Sequence, residues 1–280
     1  MTSTEMVVVG MKHVVCFSGG HSSAIAAIEV TRKYGSENVI LLNHDLCSRV
    51  EDADIKRFKN EVSAYLGIPI TYANMPNWDT KDQFDVCTDL GTFSAGRPGI
   101  TLCTTKMKTE PFHKWLASEY PVKPPDVRDD VIVAYGFDAN EKKRIDRRMG
   151  IMLARGYLTE YPLTWKNRTI YDIEEIGIKR PMTYETFNHA NCIGCLKAGK
   201  QHWFIVYCLY PEIWERAKQA EKDIGYSILK QGFLVDFEEE FARLKQKALP
   251  PTEKAKPQRF WATAHRLIKE ENDLPCDCSF

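Results

Sequence analysis

The sequence lacks long apolar runs, an excess of either charge and a dense set of cysteines. No apolar stretch approaches the roughly 18 residues of a transmembrane helix, and residues 6–11 are too short for the core of a signal peptide. Because 38 basic residues balance 38 acidic ones, no net charge attracts nucleic acid or membranes, although a local patch can. Nine cysteines in 280 residues are too few for a disulfide scaffold. Without a signal peptide we expect the reducing cytoplasm, where clustered cysteines more often bind metal or perform chemistry.

The first part of the sequence alternates short apolar runs with segments of helical period. Strands are predicted at residues 12–17, 38–43, 68–72 and 131–136. Helices are predicted at residues 22–34, 52–66 and 111–119, with a further one from about residue 140. This alternation predicts a Rossmann-like, three-layer α/β fold with a parallel sheet. In such sheets ligands bind beyond the carboxyl ends of the strands.

The pattern changes near residue 160. We predict an α/β domain at residues 1–160 and a cysteine-bearing, mainly helical region at residues 161–280. Residues 73–101 and 181–198 are predicted as loops, and residues 249–257 as a linker. Helices are predicted at residues 211–224 and 260–271.

The strongest local motif is Phe17-Ser18-Gly19-Gly20-His21-Ser22-Ser23, directly after the first predicted strand. Two glycines permit a tight turn and a close approach to a ligand. Amides at the start of the next helix, together with three hydroxyls, form an anion site. The motif lacks the lysine of GxxxxGK[ST], and it lacks GxGxxG. The alternative is an ordinary strand–turn–helix, because small residues also suit a plain turn.

This motif resembles the SGGxDS pyrophosphate loop of ATP pyrophosphatases and, more narrowly, the phosphoadenosine phosphosulfate (PAPS) reductase family. Further elements match that family in order between residues 12 and 225: Asn43, Leu66-Gly67-Ile68, Cys103-Thr104 with Lys106, Gly136-Phe137 with Arg144, and Cys192-Ile193-Gly194-Cys195. Two features depart from it: Ser22 replaces the loop aspartate, and the Glu-Cys-Gly-Leu-His motif that carries the nucleophile in PAPS reductases is absent. The resemblance therefore implies the fold and an adenine-nucleotide site, but not the specific reductase reaction.

The resemblance implies that the α/β domain binds ATP, with Mg²⁺, or an adenylylsulfate-type nucleotide. The residues expected to hold phosphate are Ser18, Gly19, Gly20, Ser22 and Ser23. Asn43 and Gly136 are expected to border adenine and ribose through backbone contacts. Arg144 would meet phosphate or sulfate, since guanidinium suits bidentate oxyanion binding; the alternative is a solvated helix face. Cys103 and Lys106 complete the catalytic candidates, because a lysine beside a thiolate cluster lowers thiol pKa.

Three cysteines form the second candidate site. A CxxC turn can bring two thiolates onto one metal. A third cysteine, distant in sequence, can supply the third ligand of the same centre. By resemblance to adenylylsulfate reductases, Cys103, Cys192 and Cys195 would hold a [4Fe-4S] cluster, although Thr104 replaces the second member of that family's cysteine pair. Candidates for a fourth ligand are Cys208 and the tail cysteines Cys276 and Cys278. Without a fourth ligand, one iron of the cluster has no protein ligand and can bind another group. The alternatives are a structural zinc ion, which prefers four protein ligands, and three buried thiols that bind no common metal.

The expected function is that of a cytoplasmic PAPS reductase-family enzyme, acting in sulfur transfer or sulfonucleotide reduction with a cysteine-ligated metal centre. Its partners would be an adenine nucleotide and a sulfur donor or acceptor, either a nucleic acid or a small molecule. No membrane is expected, and a homodimer is one expected assembly. Two alternatives stay open: an ATP pyrophosphatase-type ligase with structural zinc, and a non-catalytic nucleotide-binding module.

Overall fold

A computed structural model of the protein describes residues 10–96 and 100–272. Its strands are β1 (Lys12–Cys16), β2 (Val39–Asn43), β3 (Ile70–Tyr72), β4 (Arg128–Ala134) and β5 (Tyr157–Glu160). Its α-helices are α1 (His21–Tyr34), α2 (Ala53–Leu66), α3 (Gln83–Asp89), α4 (Leu102–Thr104), α5 (Glu110–Glu119), α6 (Lys142–Leu153), α7 (Thr183–Thr186), α8 (Lys200–Leu209), α9 (Pro211–Ile224), α10 (Glu238–Gln246) and α11 (Pro257–Asn272). None of these helices combines the length and apolar character needed to cross a bilayer.

The five strands form one parallel sheet in the order β3-β2-β1-β4-β5. β1 lies at the centre, where Val14 pairs with Ile40 of β2 on one side and with Val133 of β4 on the other. The chain adds β2 and β3 on one side of β1 and then returns to add β4 and β5 on the other. The winding therefore reverses between β1 and β4, and that reversal opens a crevice at the carboxyl ends of these strands.

Helices cover both faces of the sheet, as expected for a three-layer fold. Successive side chains of β1 point to opposite faces. Val15 packs in a core with α1 and α2, through Ile25, Ile28, Phe58 and Val62. Val14 packs in a second core with α5 and α6, through Phe112, Leu116 and Met152. The predicted α/β fold class is thus confirmed, and the C-terminal part is helical.

The chain divides into two compact units that are discontinuous in sequence. Unit 1 comprises the described parts of Met1–Asp45, Ala53–Pro76 and Lys108–Pro181, and unit 2 those of Leu46–Asp52, Asn77–Met107 and Met182–Phe280. The predicted ranges were continuous and met at residue 160. Residues 161–181 belong to unit 1 because buried Glu29 of α1 accepts hydrogen bonds from the amides of Thr169 and Ile170, at 2.5 and 2.8 Å.

Residues 73–101, predicted as a loop, contain a helix of unit 2. Asp82 caps α3 by accepting from the amides of Phe84 and Asp85, and the Asp85 carboxylate accepts from the Asp82 amide in return. This capping box fixes a helix of only seven residues. So short a segment has too few turns to show a helical period in the sequence, and the loop prediction was wrong there.

Residues 249–257, predicted as a linker, are packed into unit 2. Leu249 is 5% exposed and lies in the same core as Trp203 and Trp214. The amide of Glu253 donates to the carbonyl of Thr186 at 2.8 Å. The three prolines and the charged residues of this segment indicate mobility, but these tertiary contacts override that local signal. The tail cysteines, Cys276 and Cys278, lie outside the described residues.

The buried carboxylate of Glu29 provides a test of how residues 161–181 are held. Glu29→Ala leaves two backbone N–H groups without their acceptor, which we expect to lower the free energy of unfolding by about 2–4 kcal/mol. Glu119→Ala, at an exposed position of α5, should change it by less than about 0.5 kcal/mol. Urea unfolding measures both, and equal midpoints for the two variants would contradict the anchoring role.

Candidate nucleotide and metal sites

The SGG loop (residues 18–23) joins β1 to α1 at the centre of the sheet. Gly19 has a φ of +76°, a left-handed conformation that favours glycine. Ser23 holds the turn together: its hydroxyl accepts from the amide and hydroxyl of Ser18, both at 3.2 Å, and donates to the carbonyl of Gly20 at 2.8 Å. Ser23 was predicted to hold phosphate, yet its hydroxyl is already used inside the loop.

The exposed part of the SGG loop has the composition of an anion site. Ser18 and Ser22 are exposed, whereas Gly19 and Ser23 are buried. Gly20 is the N-cap of α1 and offers no side-chain cap. The amides of the first helical turn and two exposed hydroxyls therefore share one end of a 14-residue helix, where the helix dipole favours negative charge.

A buried lysine lies directly beneath the SGG loop. Lys59 of α2 is 1% exposed, and a Cβ added to Gly19 would lie 2.9 Å from its Cγ atom. The Lys59 Nζ atom lies 3.3 Å from Asp45 Oδ1 and 3.4 Å from Asn43 Oδ1. Sequence reasoning missed this residue, although it adjoins the apolar positions Ile55, Phe58 and Val62 of α2, where a lysine is out of place.

The ends of the two strands beside β1 take part in the same region of unit 1. The Asn43 side chain, 3% exposed, donates from Nδ2 to the carbonyl of Phe17 and so ties the end of β2 to that of β1. A Cβ added to Gly136, after β4, would lie 2.7 Å from the carbonyl oxygen of Ser22 and 3.0 Å from the amide nitrogen of Ser23. Both residues therefore shape the SGG loop; their contact with adenine or ribose stays a prediction.

The two predicted basic catalytic residues occupy different kinds of position. Arg144 is 62% exposed, and its Nη1 atom lies 2.6 Å from Glu141 Oε1. Its guanidinium also stacks 4.1 Å from the ring centre of Phe137. Lys106 lies in unit 2, in a π-helical turn (Thr105–Thr109) that follows α4; such turns are rare and are often found at functional sites. A role for either residue toward phosphate or a thiolate stays a prediction.

In unit 2, α3 holds the CxxC turn (residues 192–195). The Gln83 Nε2 atom donates to the carbonyls of Ile193 and Gly194, at 2.8 and 3.2 Å. Gly194 has a φ of +70°, and an added Cβ would lie 2.7 Å from Ile213 and 3.0 Å from Phe84. The turn is thus held against both α3 and α9.

Two histidines and a glutamate form a frame around the CxxC turn. The amide of Cys195 donates to His202 Nε2 at 3.3 Å, and His202 Nδ1 lies 3.2 Å from Glu253 Oε1. On the other side, the amide of Asn191 donates to His189 Nδ1 at 3.3 Å, and His189 Nε2 lies 3.3 Å from Glu253 Oε2. Burial acts to raise the pKa of Glu253, but the hydrogen bonds from both histidines outweigh it and hold that pKa well below its usual range.

Among the described residues, the only three metal-ligating side chains with ligand atoms within 4.8 Å of one another are His189, His202 and Glu253. Their hydrogen bonds argue against a metal at this place. Metal binding at His189 Nε2 and His202 Nδ1 would move each ring proton to the other nitrogen, where it would face a backbone N–H instead of an acceptor. The three residues are better described as a hydrogen-bonded frame.

The seven cysteines of the described residues are thiols and not disulfides. Sulfurs bound to one tetrahedral zinc at about 2.3 Å would lie about 3.8 Å apart, yet Cys103, Cys192 and Cys195 do not form a group within 4.8 Å. In a [4Fe-4S] cluster each cysteine binds a different iron, so wider spacing suits it. Soft thiolates fit either metal, and a cluster at these three residues stays a prediction.

Two further cysteines bear on the fourth ligand. Burial raises the pKa of Cys208, the predicted candidate, to about 11, and Lys245 opposes that rise. Cys87 of α3, which sequence reasoning missed, is fully buried, and the neighbouring Cys103 thiol together with burial raises its pKa far above the usual thiol range. Cys87 lies within the segment predicted as a loop, so no sequence signal paired it with Cys103.

No protein-family model matches the chain, and no curated protein matches it. The resemblance to the PAPS reductase family therefore depends on the motifs themselves. The fold agrees with that resemblance, but fold alone does not identify a reaction.

The approach of Gly136 to α1 can be tested with a matched pair of glycines. Gly136→Ala places a methyl group against the backbone of Ser22 and Ser23, which we expect to lower the free energy of unfolding by about 1–3 kcal/mol. Gly150→Ala, in α6 with nothing within 4 Å of the added Cβ, should raise it by about 0.5–1 kcal/mol. Denaturant unfolding measures both changes, and a neutral Gly136→Ala would show that the strand end and the SGG loop are not in close contact.

Proposed function

We propose that the protein is an adenine-nucleotide-dependent enzyme of the PAPS reductase type, acting in sulfur transfer or sulfonucleotide reduction. The observation that carries the proposal is the position of the SGG loop. It follows the central strand at the point where the winding of the sheet reverses, which is where open α/β sheets bind ligands. A glycine-rich turn at the start of a long helix is suited to phosphate at that place.

The charges around the loop support an anionic ligand. Lys59 and Lys56 both lie near Asp45, with Nζ–Oδ1 distances of 3.3 and 3.2 Å. Two ammonium groups therefore lie beneath a loop that has no lysine of its own. Lys59 can thus supply the charge that a Walker lysine provides elsewhere, with Mg²⁺ as a further counter-ion if the ligand is ATP.

Two reactions fit such a nucleotide site. With ATP, an acceptor atom attacks the α-phosphorus and releases pyrophosphate, and a sulfur nucleophile then displaces AMP from the adenylylated acceptor. With an adenylylsulfate, a thiolate attacks the sulfur atom and releases the nucleotide, leaving a thiosulfonate on the thiol. Cys103, half-buried in α4, is the thiolate candidate, and a cysteine-bound metal centre would supply electrons or hold sulfur.

A ligase with structural zinc is the second candidate function. The observation that favours it is the buried Cys87 thiol, whose pKa is raised by the neighbouring Cys103 thiol. Two neighbouring thiols can supply two of the four ligands of one tetrahedral zinc ion. Stoichiometric zinc and a colourless protein would select this candidate over the iron–sulfur enzyme.

Nucleotide binding is tested at the N-cap of α1. Gly20→Val puts a branched side chain where the phosphate would approach the backbone, so we expect ATP or adenylylsulfate affinity to fall by about tenfold or more. Gly199→Val is the matched control: Gly199 is also an extended N-cap glycine, of α8, and its added Cβ has nothing within 4 Å. Isothermal titration calorimetry measures affinity, and far-ultraviolet circular dichroism checks folding.

Three outcomes are informative for this test. Loss of binding in folded Gly20→Val alone supports the proposed nucleotide site. Equal affinity in the wild type, Gly20→Val and Gly199→Val would show that the SGG loop is not part of the nucleotide site. A third outcome is a protein that binds ATP but releases no pyrophosphate, with or without an acceptor, and does not turn over adenylylsulfate. That outcome would favour a nucleotide-binding module over an enzyme.

A further inference from the structure

Residues 172–180 of unit 1 reach the SGG loop at the start of α1. The amide of Ile173 donates to His21 Nε2 at 3.3 Å, and Asp172 Oδ1 lies 3.4 Å from the same nitrogen. Burial lowers the pKa of His21, the Arg180 guanidinium lowers it further, and Asp172 opposes both. The neutral ring can therefore accept the amide proton, and the segment is attached to the SGG loop through the histidine of that loop.

Asp172 also binds the guanidinium of Arg180 with both of its carboxylate oxygens. Arg180 Nε lies 3.3 Å from Oδ1, and Nη2 pairs with Oδ2. This bond lowers the pKa of Asp172 to about 2, so the carboxylate is ionised at neutral pH. One carboxylate thus lies between the histidine of the SGG loop and an arginine, and it holds that arginine beside the loop.

The backbone at Arg180 is held by α2, the helix that also carries Lys59. Arg57 Nη2 donates to the carbonyls of Lys179 and Arg180, at 3.3 and 3.4 Å. α1 and α2 pack on the same face of the sheet, and each follows the carboxyl end of a strand, β1 and β2. Arg180 is therefore held from two helices at the end of the sheet where the SGG loop lies.

We propose that Arg180 contacts the phosphate groups of a nucleotide bound by the SGG loop, with Asp172 as its positioning residue. This inference rests on the nucleotide site of the proposed function and adds to it a residue that sequence analysis missed. A guanidinium matches phosphate oxygens through a planar fork of N–H donors. The pair with Asp172 uses one edge of that fork, and 40% of the Arg180 side chain is exposed to solvent.

Arg180 and Lys59 suit an extended anion. Lys59 is 1% exposed and lies against Gly19 beneath the SGG loop, whereas Arg180 lies beside the loop and is open to solvent. A ligand with two or more linked oxyanion groups can contact both cations, but a single phosphate cannot extend as far. The arrangement therefore favours ATP or an adenylylsulfate over AMP.

The phosphate contact is tested with Arg180→Ala, Arg180→Lys and the control Lys179→Ala in the full-length protein. Lys179 is exposed, adjacent in sequence and of the same charge. Isothermal titration calorimetry measures affinity for ATP, inorganic pyrophosphate and adenosine. We expect Arg180→Ala to weaken ATP and pyrophosphate binding by about tenfold or more without changing adenosine affinity. Arg180→Lys should be intermediate, since an ammonium keeps the charge but not the fork, and Lys179→Ala should match the wild type.

The positioning role is tested by the sign of the effect of Asp172→Asn. Asparagine can still accept from the amide of Glu174, as Asp172 does at 3.1 Å, but it lacks the charge that pairs with Arg180. Loss of a negative charge near the loop would by itself strengthen anion binding, whereas displacement of the arginine weakens it. We expect ATP and pyrophosphate affinity to fall by about threefold or more. Glu174→Gln, at an exposed position, should cause no fall.

The outcomes separate this inference from the proposed function. Unchanged ATP and pyrophosphate affinity in folded Arg180→Ala, with loss in Gly20→Val, would overturn the phosphate contact and leave the nucleotide site standing. An equal loss for adenosine and ATP would also overturn it, because Arg180 would then support the fold of the site. Unchanged or tighter binding in Asp172→Asn would remove the positioning role. A wild-type protein that binds none of the three ligands would remove the proposed function and the inference together.

A measurement on the wild type decides if the Arg180 variants do not fold. Phenylglyoxal modifies accessible arginines, and mass spectrometry identifies the modified sites. ATP that protects Arg180 but not the exposed Arg147 of α6 would support the contact. Equal modification of Arg180 with and without saturating ATP would overturn it.

Discussion

The carboxyl end of the sheet in unit 1 depends on a close approach between two backbones. Gly136, after β4, lies so near Ser22 and Ser23 that a Cβ would fall within 3.0 Å of three of their backbone atoms. Any side chain there would push the start of α1 away from the sheet. That contact fixes where the first helical turn lies relative to the carboxyl end of β4, and hence where the amides of the SGG loop point.

Lys59 gives the same region its electrostatic character. A buried ammonium is costly unless it is paired, and Asp45 and Asn43 provide the partners from the end of β2. Because Gly19 has no side chain, the lysine stem can pack against the turn itself. The chain thereby has an ammonium group beneath the loop without placing a lysine in the loop sequence. A motif search along the sequence misses such an arrangement, since Lys59 comes from another element.

The sequence predicts those parts of the fold in which local pattern and tertiary environment agree. α1, α2 and α9 were recognised because their apolar positions recur at helical spacing, and β1, β2 and β4 because short apolar runs are typical of buried parallel strands. α8 was missed because six consecutive residues, 201–206, are all buried, which leaves no polar face to reveal its period. α3 was missed because capping and packing, not periodicity, define it. The SGG loop was predicted as a site from its motif, its place after the first strand and its resemblance to a known loop, whereas Lys59 required knowledge of which helix lies beneath that loop.

The frame of His189, His202 and Glu253 has a consequence for the order in which the protein matures. Both sides of the CxxC turn are held by one carboxylate that lies some sixty residues further along the chain. During synthesis the turn is complete long before Glu253 leaves the ribosome, so until then its histidines have no common partner. The histidine contacts of the turn are therefore complete only once Glu253 has been synthesised, and a metal centre built on the turn would gain that support only then.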